Sequence, residues 1–140
     1  MLITNHVLSG ALVGAASPGP VSAFVLGIAS HVALDSVPHW GDDAIFLRVA
    51  VVDGLVGLAA MGAVARAAAP AGRARVVAGM LGACLPDADK PGDLFFGHSP
   101  FPARIDRWHQ QIQRESPRRM PQEVVVALAG VLLVRRVVLR

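Results

Sequence analysis

The stretch "GIASHVALDSVPHW", residues 27–40, sets His31, Asp35 and His39 at intervals of four in an otherwise apolar run. Four residues is about one helical turn, so His31 and Asp35 share a face and can reach one point in space. Pro38 biases Val37 away from helical backbone, which puts His39 at or beyond the helix end.

The neighbouring sequence also reads as helix. Upstream, residues 4–16 form a first helix with Thr4 or Asn5 as cap, and "SPGP" at 17–20 breaks it. The quoted stretch then belongs to a second helix over about 20–37. Downstream, "GDD" at 41–43 offers a polar start to a third helix over 43–68. Between Ala44 and Ala65 its only charges are Arg48 and Asp53, and 22 residues span about 33 Å, so this is the best candidate for a membrane crossing. "APAGRAR" at 69–75 closes it, and residues 74–85 make a fourth helix too short to cross alone. "PDADKPGDLFFGHSPFP", 86–102, reads as a loop. An amphipathic fifth helix follows over 102–116, with Ile105, Trp108 and Ile112 on one stripe and Arg104, Arg107 and Arg114 elsewhere. A sixth, apolar helix runs from 122 to the end. No strand alternation or internal repeat interrupts this pattern.

Composition agrees. The chain has 140 residues, 54% hydrophobic and only 16% charged, with a mean hydropathy of +0.52. A soluble domain averages about 25% charged residues. The expected class is therefore an all-α, small membrane-associated bundle of about five to six helices, in one domain over 1–140. The positive charge is nearly all arginine, twelve against Lys90 alone. In so apolar a chain this suits membrane lipid as partner, and no basic run interleaved with aromatics supports nucleic acid. Cys84 is the only cysteine, which excludes an internal disulfide. The apolar N-terminal stretch lacks the basic start of a signal peptide, no Lys or Arg preceding Arg48, and is expected to belong to the fold.

Consecutive antiparallel helices would gather the polar residues at one end of such a bundle. Six of the eight aspartates fall within 35–43 and 87–93. His6, His31, His39 and His98 come to the same end, and His109 needs only a folded-back fifth helix. Imidazole with carboxylate suits zinc, manganese or iron. The expected ligands of a divalent metal are His6, His31, Asp35 and Asp87, with His39 and His98 as additions. Asp89 would assist a metal-activated water. Arg104 and Arg107 could hold a phosphate. The metal-site core would occupy 1–100, ahead of the amphipathic segment 101–116 and the apolar helix 119–140.

The same residues carry a family resemblance. "LGIASHVALDSVPHW" resembles the His-x-x-x-Asp…Pro…His segment of the zinc-dependent phospholipase C and single-strand nuclease superfamily. The chain is more similar still to small inner-membrane metal-dependent hydrolases of the LexA-binding, membrane-associated type. Those carry an early histidine with spaced glycines, here "HVLSGALVG" at 6–14, and an "LPDxD" segment, here Leu85 to Asp89, followed by "HS", here His98 and Ser99. Lys90 and Gly97 stand where that family tends to have further histidines. The resemblance implies a bacterial inner-membrane enzyme acting on an ester or phosphoester, lipid esters included.

Each feature has a plainer reading. His31 and Asp35 could be a buried hydrogen-bonded pair, Asp42 and Asp43 helix caps, and Asp87 and Asp89 turn formers. Asp53 is a functional candidate as an intramembrane carboxylate, or a partner of Arg48. Two functions follow: a membrane-bound metal-dependent hydrolase, or a non-catalytic membrane protein whose polar end binds a partner or a structural ion.

Overall fold

The computed structural model describes residues 1–139. Seven α-helices account for most of the chain: α1 (Ile3–Ala16), α2 (Pro20–Asp35), α3 (Phe46–Ala67), α4 (Pro70–Cys84), α5 (Asp89–Phe96), α6 (Ala103–Ile112) and α7 (Met120–Val137). Six of them stand where the sequence predicts helix. The short α5 and a 3-10 turn over Leu85–Ala88 occupy the segment expected as a loop. Pro91 does not prevent α5, because it lies in the first turn, where no intrahelical donor is lost. Gly97, at φ 75°, ends it in left-handed backbone.

Helix boundaries follow local chemistry. Pro20 and Pro70 open α2 and α4 at the first helical position, so α4 begins four residues before the expected Ala74. α2 stops at Asp35, two residues before the expected end, as Pro38 requires of the backbone preceding it. α6 ends at Ile112 rather than 116 because the next residues pair with the chain after α2. The His39 amide donates to the Arg114 carbonyl at 3.0 Å and the Ser116 amide to the His39 carbonyl at 2.9 Å.

α1 is the centre, packing on α2, α3, α4 and α7. Its contact with α4 is backbone on backbone. A Cβ on Gly10 would sit 2.5 Å from the Gly79 carbonyl oxygen, and a Cβ on Gly79 would strike the Gly10 carbonyl. Gly27 of α2 meets that same Gly79 carbonyl. Three helices therefore approach at one point that only glycine permits. Val7, Leu8, Ala11, Val76 and Met80 fill the core beside it.

The first turn of α1 is capped from outside its own chain segment. The Ile3 amide (2.5 Å) and the Thr4 hydroxyl (2.5 Å) donate to the Asp53 carboxylate of α3. Glu123 of α7, 1% exposed, accepts from the Leu2 amide at 3.1 Å, Asn5 Nδ2 at 2.7 Å and the Trp40 amide at 3.1 Å. Asp53 is thus a cap supplied by another helix, the role that free helical N–H groups and the helix dipole favour.

α3 has 22 residues, a mean hydropathy of 1.8 over its most apolar window and only 17% of that window buried, so one helix is long and apolar enough to cross a membrane. Val52, Leu55 and Leu58 lie exposed along it, as do Val125, Leu128 and Leu132 on α7. The stripe of α6 also faces outward: Ile105 and Trp108 are exposed and His109 points in.

Gly79→Ala should cost on the order of 1–3 kcal/mol of stability, through overpacking against backbone that cannot yield. Gly54→Ala, where a Cβ meets open space, should be neutral or stabilising by up to about 1 kcal/mol. Thermal unfolding of the two variants in the same detergent checks the contrast, and equal effects would contradict the backbone contact.

Candidate metal centre

The glycine contact brings the polar ends of α1, α2 and α4 together. His6 and His31 stack with ring centroids 3.9 Å apart, inclined by 21°. Both are fully buried, as is Asp35. The 3-10 turn after α4 delivers Asp87, and α6 folds back to deliver His109, 2% exposed. One ligand atom each from His31, Asp35, Asp87 and His109 fall within 4.8 Å of one another.

His31 Nδ1–H donates to the Ala83 carbonyl at 2.7 Å, which turns Nε2 toward the carboxylates. That Nε2 lies 3.0 Å from Asp35 Oδ2 and 3.0 Å from His109 Nε2. His109 Nε2 is 3.3 Å from the same Asp35 oxygen and 3.9 Å from Asp87 Oδ1. Bonds of about 2.0–2.1 Å to a tetrahedral ion imply ligand separations of about 3.3 Å. The donor types and their spacing therefore suit a divalent metal ion.

His6 borders this group. Its Nε2 is 3.1 Å from Asp35 Oδ1 and 3.9 Å from Asp87 Oδ2. Neither ring nitrogen has an aligned hydrogen-bond partner although both are buried, a cost that a nearby cation would relieve. The Met1 main-chain nitrogen donates to Asp35 Oδ1 at 2.6 Å.

The outer face is electrostatically balanced. Lys90 Nζ pairs with Asp87 Oδ1. Burial pushes the Asp87 carboxyl up, but the Lys90 charge and the nearby imidazoles outweigh it and hold the carboxyl below its ordinary value. Burial likewise pulls Lys90 down, and the Asp87 charge more than restores it. Asp89 Oδ2 lies 3.6 Å from His109 Nδ1, on the far side of that ring from the cluster. Burial lowers the His109 pKa, yet the hydrogen bonds to Asp35 and Asp89 and the Asp87 charge raise it to about 9.

Of the residues expected to form the site, His6, His31, Asp35, Asp87 and Asp89 come together and four do not. His39 is buried but turned elsewhere: its Nδ1–H donates to the Val37 carbonyl at 2.9 Å, and Nε2 faces Glu115 Oε1 at 3.8 Å. The helix end before Pro38 carries it away. His98 is exposed, its Nδ1 near the Ser99 carbonyl at 3.3 Å. Arg104 and Arg107 lie exposed on α6. Five and two residues from His109, they project from the other side of that helix, and the basic side chain at the site is Lys90 instead. His109 was the ligand hardest to anticipate. Its signal was its place beside Trp108 on a helix whose apolar stripe faces outward.

Comparison with family models, curated proteins and solved structures yields no match.

The raised pKa of His109 fixes the sign of a pH effect on the metal-free protein. Its stabilising contribution is fully present below the unfolded value of 6.5 and is lost as pH rises through about 9. Chelator-treated protein should unfold at falling temperatures across this window, and His109→Asn should flatten that slope. An unchanged slope in the variant would contradict the assignment.

Proposed function

We propose that this chain is a membrane-bound, metal-dependent hydrolase of an ester or phosphoester, lipid esters included. The observation that carries the reading is the convergence of His31, Asp35, Asp87 and His109 within 4.8 Å, from α2, the 3-10 turn that follows α4, and α6. His6 beside them adds a buried imidazole with no hydrogen-bond partner. Imidazole and carboxylate donors favour zinc, with manganese and iron as the other choices. Support for the membrane comes from α3 and from the outward-facing Ile105 and Trp108 of α6. The resemblance in the "HVLSGALVG" and "LPDAD" segments favours a bacterial inner membrane.

A divalent ion in such a site supplies Lewis acidity and lowers the pKa of water toward neutrality. The chain's own groups supply the rest. The Ala83 carbonyl holds the His31 tautomer. Asp89 steadies the His109 ring from the side away from the cluster and can take a proton only through that ring. Lys90, 34% exposed at its side chain, offers positive charge to an anionic phosphoester approaching from outside.

One observation favours the second reading, a structural ion in a non-catalytic membrane protein. All four ligand residues are buried, and a closed set of four protein ligands is the habit of structural zinc sites. The two readings diverge on turnover.

Protein purified in mild detergent should carry about one divalent ion per chain, measured by elemental mass spectrometry. Asp35→Asn with His109→Ala should abolish that content. Metal-loaded wild type should cleave a chromogenic phosphodiester or a short-chain phospholipid. Asp89→Asn should keep the ion and lose roughly 10²-fold or more in rate. Bound metal without turnover would leave the structural-ion reading, and metal-free wild type would defeat both. The chain should also stay with membranes through a carbonate wash.

A further inference from the structure

α1, α3 and α7 run in the same direction. At one end the first turn of α1 bonds Asp53 of α3 and Glu123 of α7. Further along, Leu8 of α1 meets Gly130 of α7 and shares the core with Val64 of α3 and Val134 of α7. α4 runs the other way, since Gly10 meets Gly79 while Gly14 meets Arg75. It packs on α1 and α2 and carries the chain from the end of α3 back toward the end where α7 starts.

The faces that α3 and α7 turn outward are apolar and exposed. Leu55 and Leu58 are 65% and 67% exposed, and Leu128 and Leu132 are 61% and 66% exposed. Between Arg48 and Arg66 the only charged residue is Asp53, and between Arg119 and Arg135 it is Glu123. Both carboxylates turn in to α1, so neither outward face carries a charge along its middle. Charge returns at the same two levels on both helices. Arg48, Arg118 and Arg119 are exposed where the helices start, with Asp42 and Asp43 close before α3. Arg66, Arg135 and Arg136 are exposed where they end. Helical rise puts Arg48 and Arg66 about 27 Å apart, and Arg119 and Arg135 about 24 Å apart. The hydrocarbon layer of a bilayer is about 30 Å thick, and arginine side chains at its edges reach outward to the headgroups.

We infer that α3 and α7 cross a phospholipid bilayer together, both starting on the same side. Their outward leucines and valines lie against acyl chains, and their arginine bands stand at the two headgroup layers. Composition alone does not single out α7, because Glu123, Arg135 and Arg136 fall within it. Glu123 is taken inward and the arginines occupy the last turn, so crossing leaves none of them facing hydrocarbon. The chain path closes as well: α3 crosses, α4 returns against α1 and α2, and α7 crosses again. A second copy covering these faces would press arginine against arginine at both ends. Water would leave two leucine-rich faces unburied. The inference rests on the membrane placement proposed above, extends it to α7 and is independent of catalysis.

Cysteine mapping of the full chain in sealed vesicles tests it. The background is Cys84→Ala, and a membrane-impermeant maleimide is supplied outside the vesicles or trapped within them. Asp43→Cys and Arg118→Cys should label from one side, and Ala71→Cys and Val137→Cys from the opposite side. Leu55→Cys and Leu128→Cys should label from neither side until detergent dissolves the vesicles. All six side chains are exposed, so these replacements disturb no packed core. Labelling of Arg118→Cys and Val137→Cys from the same side would overturn the inference. So would labelling of Leu55→Cys or Leu128→Cys in intact vesicles, or disulfide cross-linking of two copies through Leu128→Cys. Release of the wild-type chain by a carbonate wash would overturn the membrane placement itself, whereas the three preceding results with the chain retained count against this inference alone.

Discussion

The backbone contact of α1, α2 and α4 at Gly79 is the constraint on which the rest of the structure depends. Side chains ordinarily hold helix axes about 8–10 Å apart. Here Gly10, Gly27 and Gly79 remove them, and carbonyl oxygens meet where Cβ atoms would stand. That approach brings the ring of His6 onto His31 at 3.9 Å. It also lets the Ala83 carbonyl of α4 reach His31 Nδ1 at 2.7 Å. With larger residues the helices would still form and their apolar faces would still pack, but the imidazoles and carboxylates would not share a point.

Buried carboxylates then divide into two kinds. Asp53 and Glu123 are satisfied: each accepts hydrogen bonds from the N-terminal region of α1, and together they fix α3 and α7 to the central helix. Asp35 and Asp87 stand instead among imidazoles, with the Met1 nitrogen on Asp35 and Lys90 on Asp87. The first arrangement is complete with the chain alone. The second is a group that could hold a metal ion, and the same low dielectric that strengthens each pairing makes every unpaired acceptor costly. The difference between the two pairs comes from geometry and not from residue type.

Much of this was legible in the sequence. The four-residue spacing of His31 and Asp35 fixed their common face, and helix alternation brought His6 and Asp87 to the same end. Local patterns also located six of the seven helices. What could not be read were features set by contacts between distant segments. The role of Asp53 depends on where the start of α1 lies, which no feature within α3 encodes. His39 sat on the right interval, yet the pairing of residues 39 and 115 turns it aside. His109 was recoverable only by knowing that α6 folds back toward the ends of α2 and α4. Arg104 and Arg107 followed from their place beside the 86–102 segment, and helix phase directs them away.

The central claim is that His31, Asp35, Asp87 and His109 form one metal site. Anomalous diffraction from zinc-soaked crystals, recorded on both sides of the zinc edge, tests it most directly. The account predicts one strong peak about 2.0–2.2 Å from His31 Nε2, His109 Nε2 and oxygens of Asp35 and Asp87. Well-ordered, zinc-soaked crystals with no peak in that cluster, or with zinc bound only at exposed residues such as His98, would contradict it.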